Sequence, residues 1–119
     1  MRRRLPLPPD VVEGVRLFNE GRYFEAHDAW EEHWGHGPKA ERDLVKGLIK
    51  AAVGLHHLHH GNAVGFAVQV REALPMLRAG AGVWPELDVA SLADDVESVA
   101  AQVRFHGKAD AMPRIRLRE

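Results

Sequence analysis

The stretch YFEAHDAWEEHW, residues 23–34, carries the pattern that decides how this chain folds. Taken as one helix, it puts His27, Glu31 and Trp34 at i, i+4 and i+7, so an imidazole, a carboxylate and an indole share a face. Phe24 precedes them by a turn, and Trp30 and His33 flank the face. This is the stripe of a core-facing helix in which two members are ionisable. Unpartnered buried charges cost several kcal/mol or more, so the pair must be hydrogen-bonded, ion-paired or metal-bound. The pattern points to a site without naming a reaction.

Outward from this stretch, the punctuation is helical throughout. Pro6, Pro8 and Pro9 make residues 1–9 an extended arm. The first helix starts at Asp10, which has capping-box spacing to Glu13, and buries Val11, Val15 and Phe18 before Gly21 stops it. A second helix covers about 22–34 and ends in GHGP. A third runs from Pro38 to His60 with the stripe Leu44, Val45, Leu48, Ile49, Ala52, Val53, Leu55 and His56. Within it Gly47 and Gly54 mark places where another helix comes close. Gly61 and Asn62 end the third helix and cap a fourth over 63–79, which Pro75 should kink or break. After a connection in which Trp84 folds back on the bundle, Val89, Leu92, Val96, Val99 and Val103 recur at helical steps, with Asp88 as cap. The tail 107–119 contains RIRLR, a lone period-two segment without a partner, expected as a mobile basic arm. The fold class is all-α: one helical domain over 10–106, about five helices packed mostly antiparallel, no sheet.

Composition narrows the function classes. The chain has 119 residues, 45% apolar and 28% charged, which suits one globular domain that folds without a staple. Net charge is -1, so no global field favours nucleic acid or an anionic membrane. The absence of cysteine removes thiolate chemistry and leaves nitrogen and oxygen as metal ligands. No apolar run reaches the roughly 18 residues of a membrane span, and the start lacks the apolar core of a leader, so the expectation is a cytoplasmic protein with no membrane partner. The basic ends, Arg2 to Arg4 and Arg114 to Arg118, lack the aromatic interleaving of a nucleic-acid grip.

Seven of the eight histidines lie between His27 and His60. One reading is a site for a divalent metal, zinc or similar, on His27 and Glu31, closed by His56 or His57 of the third helix. Helical stacking lets the first two reach an ion at about 2.0–2.2 Å and leaves positions open. The other is a buried His–Glu hydrogen bond that only orients helices. In HHLHH, residues 56–60, the i,i+3 and i,i+4 spacings could chelate nickel, copper or zinc, while the ordinary role is a solvated helix C-terminus. His33 and His36 straddle Gly35 and lack rigid chelating geometry. Arg42 could bridge to Glu31, which would matter only if buried. Di-iron Glu-x-x-His pairs, a nucleophile elbow and a phosphate-binding loop are all missing.

FNEGRYFEAHDAWEEHW at 18–34, the ER pair at Glu41 and Arg42, and GLIKAAVGLHHLHHGN at 47–62 together resemble the small bacterial and archaeal family DUF309, with the fold of the TTHA0068-like helical proteins. The resemblance spans about 11–77. Its H-x-x-x-E-x-x-[WY] motif falls on His27, Glu31 and Trp34, and it implies metal binding through that motif with no established activity. The family often has glutamine at the position of Lys50, and a cation facing His27 would oppose a metal. It places a third-helix histidine at either His56 or His57, and periodicity favours His56. The resulting expectation is a pocket of His27, Glu31, Trp34, Arg42, His56 and His57 between the second and third helices. That pocket would bind metal or perform acid/base chemistry on a small molecule of unspecified type; otherwise the cluster is structural, in a scaffold or interaction module. Trp30, Trp84 or the fifth helix could also form a homodimer.

Overall fold

A computed structural model describes residues 7–35 and 37–118. The N-terminal arginines and His36 lie outside the described residues. Five helices follow one another: α1 (Pro9–Asn19), α2 (Tyr23–His33), α3 (Lys39–His59), α4 (Ala63–Gly80) and α5 (Val89–His106). Each packs chiefly on its neighbours in sequence, most extensively α3 on α4, which gives a stack of 49 × 24 × 24 Å. Short connections produce this order, since a helix that ends in a tight turn can only fold back on the one before it.

The turns are local chemistry. Gly21 has φ +81°, and Arg22 N–H donates to Leu17 O at 2.9 Å, closing α1 with a left-handed residue and a six-to-one bond. Gly61 repeats the device at the end of α3, where Asn62 N–H reaches His57 O at 2.8 Å. Asn62 then accepts from Gly65 N–H at 2.8 Å and Asp88 from Ser91 N–H at 3.2 Å, so both expected caps form. Close approach is also where it was expected: a Cβ on Gly47 would meet Met76 Cβ at 2.9 Å, and one on Gly54 would meet Gln69 Cβ at 3.2 Å.

Four expectations are overturned in whole or in part. The capping box at Asp10 does not form: α1 starts at Pro9 with no side-chain cap, a proline first turn being preset in φ, and Glu13 pairs with Arg16 instead. Of the kink or break expected at Pro75, the break does not occur: α4 is one helix through this exposed residue, whose missing N–H frees a carbonyl on the outer face of a helix already anchored along α3. The C-terminal tail is docked. Asn19 grips Ile115 with both amide atoms, at 2.9 and 2.8 Å, and Leu87 and Leu117 form an isolated antiparallel bridge flanked by Asp88 N–H to Arg116 O at 2.9 Å. Among the described residues this bridge is the only β pairing.

The fourth correction concerns the inward face of α2. Its buried set is Tyr23, Ala26 and Trp30, not the Phe24–His27–Glu31–Trp34 stripe. Phe24 and Trp34 are 54% and 50% exposed. Trp30 wins the core position because α1 offers a slot at Gly14 and an acceptor, Val11 O, 3.1 Å from the indole N–H. Trp34 is the C-cap of α2, and its ψ of 137° turns the chain that follows away from the helix. Trp30 and Trp84 are both buried within the chain.

Candidate functional site

The α2 face that carries His27 forms the margin of the α2–α3 seam. His27 is mostly buried and Glu31 lies a turn beyond, more than half exposed, with His27 Nε2 to Glu31 Oε2 at 3.4 Å. Asp28 approaches from the other side, its Oδ1 3.4 Å from His27 Nδ1. That Nδ1 is enclosed and has no hydrogen-bond partner, because the Asp28 contact lacks bonding geometry. One ligand atom from each of His27, Asp28 and Glu31 falls within 4.8 Å of the others, and among the described residues no other trio of such groups does so.

Phe24 separates this cluster from α3. Its ring sits 5.4 Å from the ring of His27 and 5.4 Å from that of His56. His56 therefore faces α2, and its closest imidazole is His60, with ring centroids 4.3 Å apart. His57 points elsewhere, against Gly65 and Asn62 at the start of α4. Burial, followed by the neighbouring imidazoles His60, His57, His59 and His27, lowers the pKa of His56 from its ordinary value.

The remaining expected members are dispersed. Trp34 stands in solvent at the end of α2, and Arg42 is exposed without an ion pair to Glu31. Lys50 does not oppose the cluster as a free cation: Glu72 of α4 holds its ammonium at 2.6 Å, and that ion pair lowers the Glu72 pKa. Two partners escaped the sequence reading. Helical spacing does not point to Asp28, because adjacent helical residues do not face each other. His33, a flank of the α2 face by spacing, has its Nδ1 3.3 Å from Asp10 Oδ1 of α1 and its ring 5.9 Å from that of Trp84. No spacing in the chain announces that contact.

Chemically, one imidazole nitrogen and two carboxylates make an N/O donor set suited to a divalent cation of borderline or hard character. The exposed carboxylates would leave coordination positions to water. The set is thus fit for an exchangeable ion and is not a closed cage. No described helix is long and apolar enough to cross a membrane.

Residues 11–68 match the sequence profile of a family described as "Domain of unknown function (DUF309)". The match takes in α1 to α3 and the start of α4, and so the whole α2 cluster and the histidines that end α3. A protein of Aquifex aeolicus (strain VF5), described as "Uncharacterized protein", is 38% identical over 65 residues, or 54% of this chain. The chain covers 20% of that protein's length. The expected resemblance to DUF309 holds, and no activity comes with it.

Proposed function

We propose that the protein binds a divalent metal ion at the α2 cluster, with His27, Asp28 and Glu31 as ligands. The observation that supports this most is the enclosed, unpartnered Nδ1 of His27 within a trio of converging ligand atoms. A buried ring nitrogen without a partner is a cost that a ligand or proton would relieve. His56, expected as the closing ligand, packs on Phe24 and stays outside this set; Trp34, Arg42 and His57 are outside it as well. The two ring nitrogens of His27 already lie 3.4 Å from a carboxylate oxygen each, Nδ1 from Asp28 and Nε2 from Glu31. The same His27–Glu31 couple would serve acid/base chemistry with the imidazole as base and the carboxylate as its orienting partner.

The exposure of the carboxylates, 61% for Asp28 and 57% for Glu31, favours a second reading. In it the trio is an ordinary surface pair beside a helix seam, in a scaffold whose interaction partner is a protein. Calorimetric titration of tag-free protein with zinc and manganese separates the two. The metal reading expects saturable manganese binding that disappears in His27→Ala and weakens in Glu31→Gln, and zinc binding that is reduced in both. The scaffold reading expects identical heats in all three proteins.

A further inference from the structure

The imidazole run at the end of α3 resolves into three environments. His57 is held at the α4 start by Asn62, 3.4 Å from its Nδ1. His59 lies on Tyr23, ring centroids 5.0 Å apart. His56 and His60, a helical turn apart, face each other at 4.3 Å.

We infer that His56 and His60 form a second, independent metal site, a two-imidazole chelate for a late first-row divalent ion, copper(II) foremost. Three features carry this. The i,i+4 spacing stacks both rings on one side of the helix, and a chelated ion holds its two nitrogens roughly 3 Å apart, within reach of rings already in contact. His60 Nδ1 lies 2.9 Å from His56 O, so that nitrogen donates its proton to the carbonyl and the ligand lone pair is left on Nε2. Donation of the far N–H to a backbone carbonyl is the arrangement that orients ligand histidines in metal sites. Finally, no carboxylate shares an ion pair with either ring among the described residues, so the donor set is all nitrogen. Imidazole pairs favour copper, nickel and zinc over magnesium or calcium, and copper(II) leads the affinity order. His60 is exposed, which leaves the other coordination positions to solvent and makes the ion exchangeable.

This site does not depend on the α2 cluster, and Phe24 stands against both histidines His27 and His56. The test is titration of tag-free protein with copper(II), read by competition for affinity and by electron paramagnetic resonance for the number of bound nitrogens. The expected result is a two-nitrogen signal in the wild type and in His27→Ala. His60→Gln and His56→Gln should each lose at least about tenfold in affinity and fall to one nitrogen, since removing a direct ligand costs no less than removing an outer partner. His57→Gln and His59→Gln should keep both nitrogens and the wild-type affinity, since those rings lie against Asn62 and Tyr23. Melting curves taken in parallel show whether each variant folds. Unchanged affinity in a folded His60→Gln, equal loss in His57→Gln or His59→Gln, or fewer than two nitrogens in the wild type would each overturn the site. Loss of the signal in His27→Ala alone would merge it with the α2 cluster and also overturn it.

Discussion

The indole of Trp30 occupies the place where a side chain on Gly14 would be: a Cβ there would lie 2.1 Å from Nε1. Glycine in α1 is thus what lets α2 turn its tryptophan inward, and the same approach brings the indole N–H to Val11 O. Gly14→Ala should therefore destabilise the protein by about 3 kcal/mol or more, although alanine is the better helix former, because rigid ring and backbone cannot both yield. Urea unfolding measures this. A Gly14→Ala protein as stable as wild type would mean that α1 and α2 do not pack this closely.

Asn19 holds the C-terminal segment by both amide atoms to the backbone of Ile115, and Ile115 is buried. Asn19→Ala leaves both backbone groups unpartnered, which should cost about 1–3 kcal/mol. The tail should open before the bundle does, so amide exchange at Ile115 and Arg118, whose N–H groups bond to Asn19 and Glu86, should accelerate while α3 stays protected. Equal acceleration throughout the chain would refute a separately docked tail.

These two contacts mark what could be read from the chain and what could not. The Asp88 cap, the Gly61 turn and the α5 stripe are local: each depends on residues within a few positions, and each formed. The inward face of α2 depends on a gap in α1, so spacing within 23–34 could not choose Trp30 over Phe24 or Trp34. The tail reads as unpartnered because its partners, Asn19 and Leu87, are distant in sequence and carry no pattern of their own. In the candidate site, the His27–Glu31 pair follows from helical spacing alone. Asp28 needed side-chain geometry, and the parting of His56 from His57 rests on their contacts with Phe24 and Gly65 on different helices.

Asp88 couples the α5 cap to pH. Its carboxyl is held below the ordinary value of 3.8, first by the Ser91 hydroxyl at 2.9 Å and the Ser91 N–H, then by the Arg118 and Arg116 charges. A group whose folded pKa is lowered contributes stability above its unfolded pKa and loses it as pH falls through the folded value. Asp88→Asn keeps an acceptor for the cap but cannot titrate. The wild type should accordingly exceed Asp88→Asn in stability at neutral pH, with the gap narrowing as pH falls below about 4. Urea midpoints for both proteins between neutral pH and the acid limit test this, and a constant gap would contradict it.

Glu31 and Asp28 decide between the two readings of the α2 cluster because both carboxylates are exposed. Exposed carboxylates beside an imidazole contribute little to folding by themselves, so Glu31→Gln and Asp28→Asn should each change stability by less than about 0.5 kcal/mol in metal-free buffer. An ion held by the folded state alone stabilises it by mass action, about 2.7 kcal/mol at a hundred times its dissociation constant. The wild-type melting temperature should rise on addition of manganese, and the rise should be smaller in Glu31→Gln and absent in His27→Ala. A shift of the same size in all three would place the ion elsewhere, and a large loss without metal in Glu31→Gln would show that the carboxylate is part of the fold.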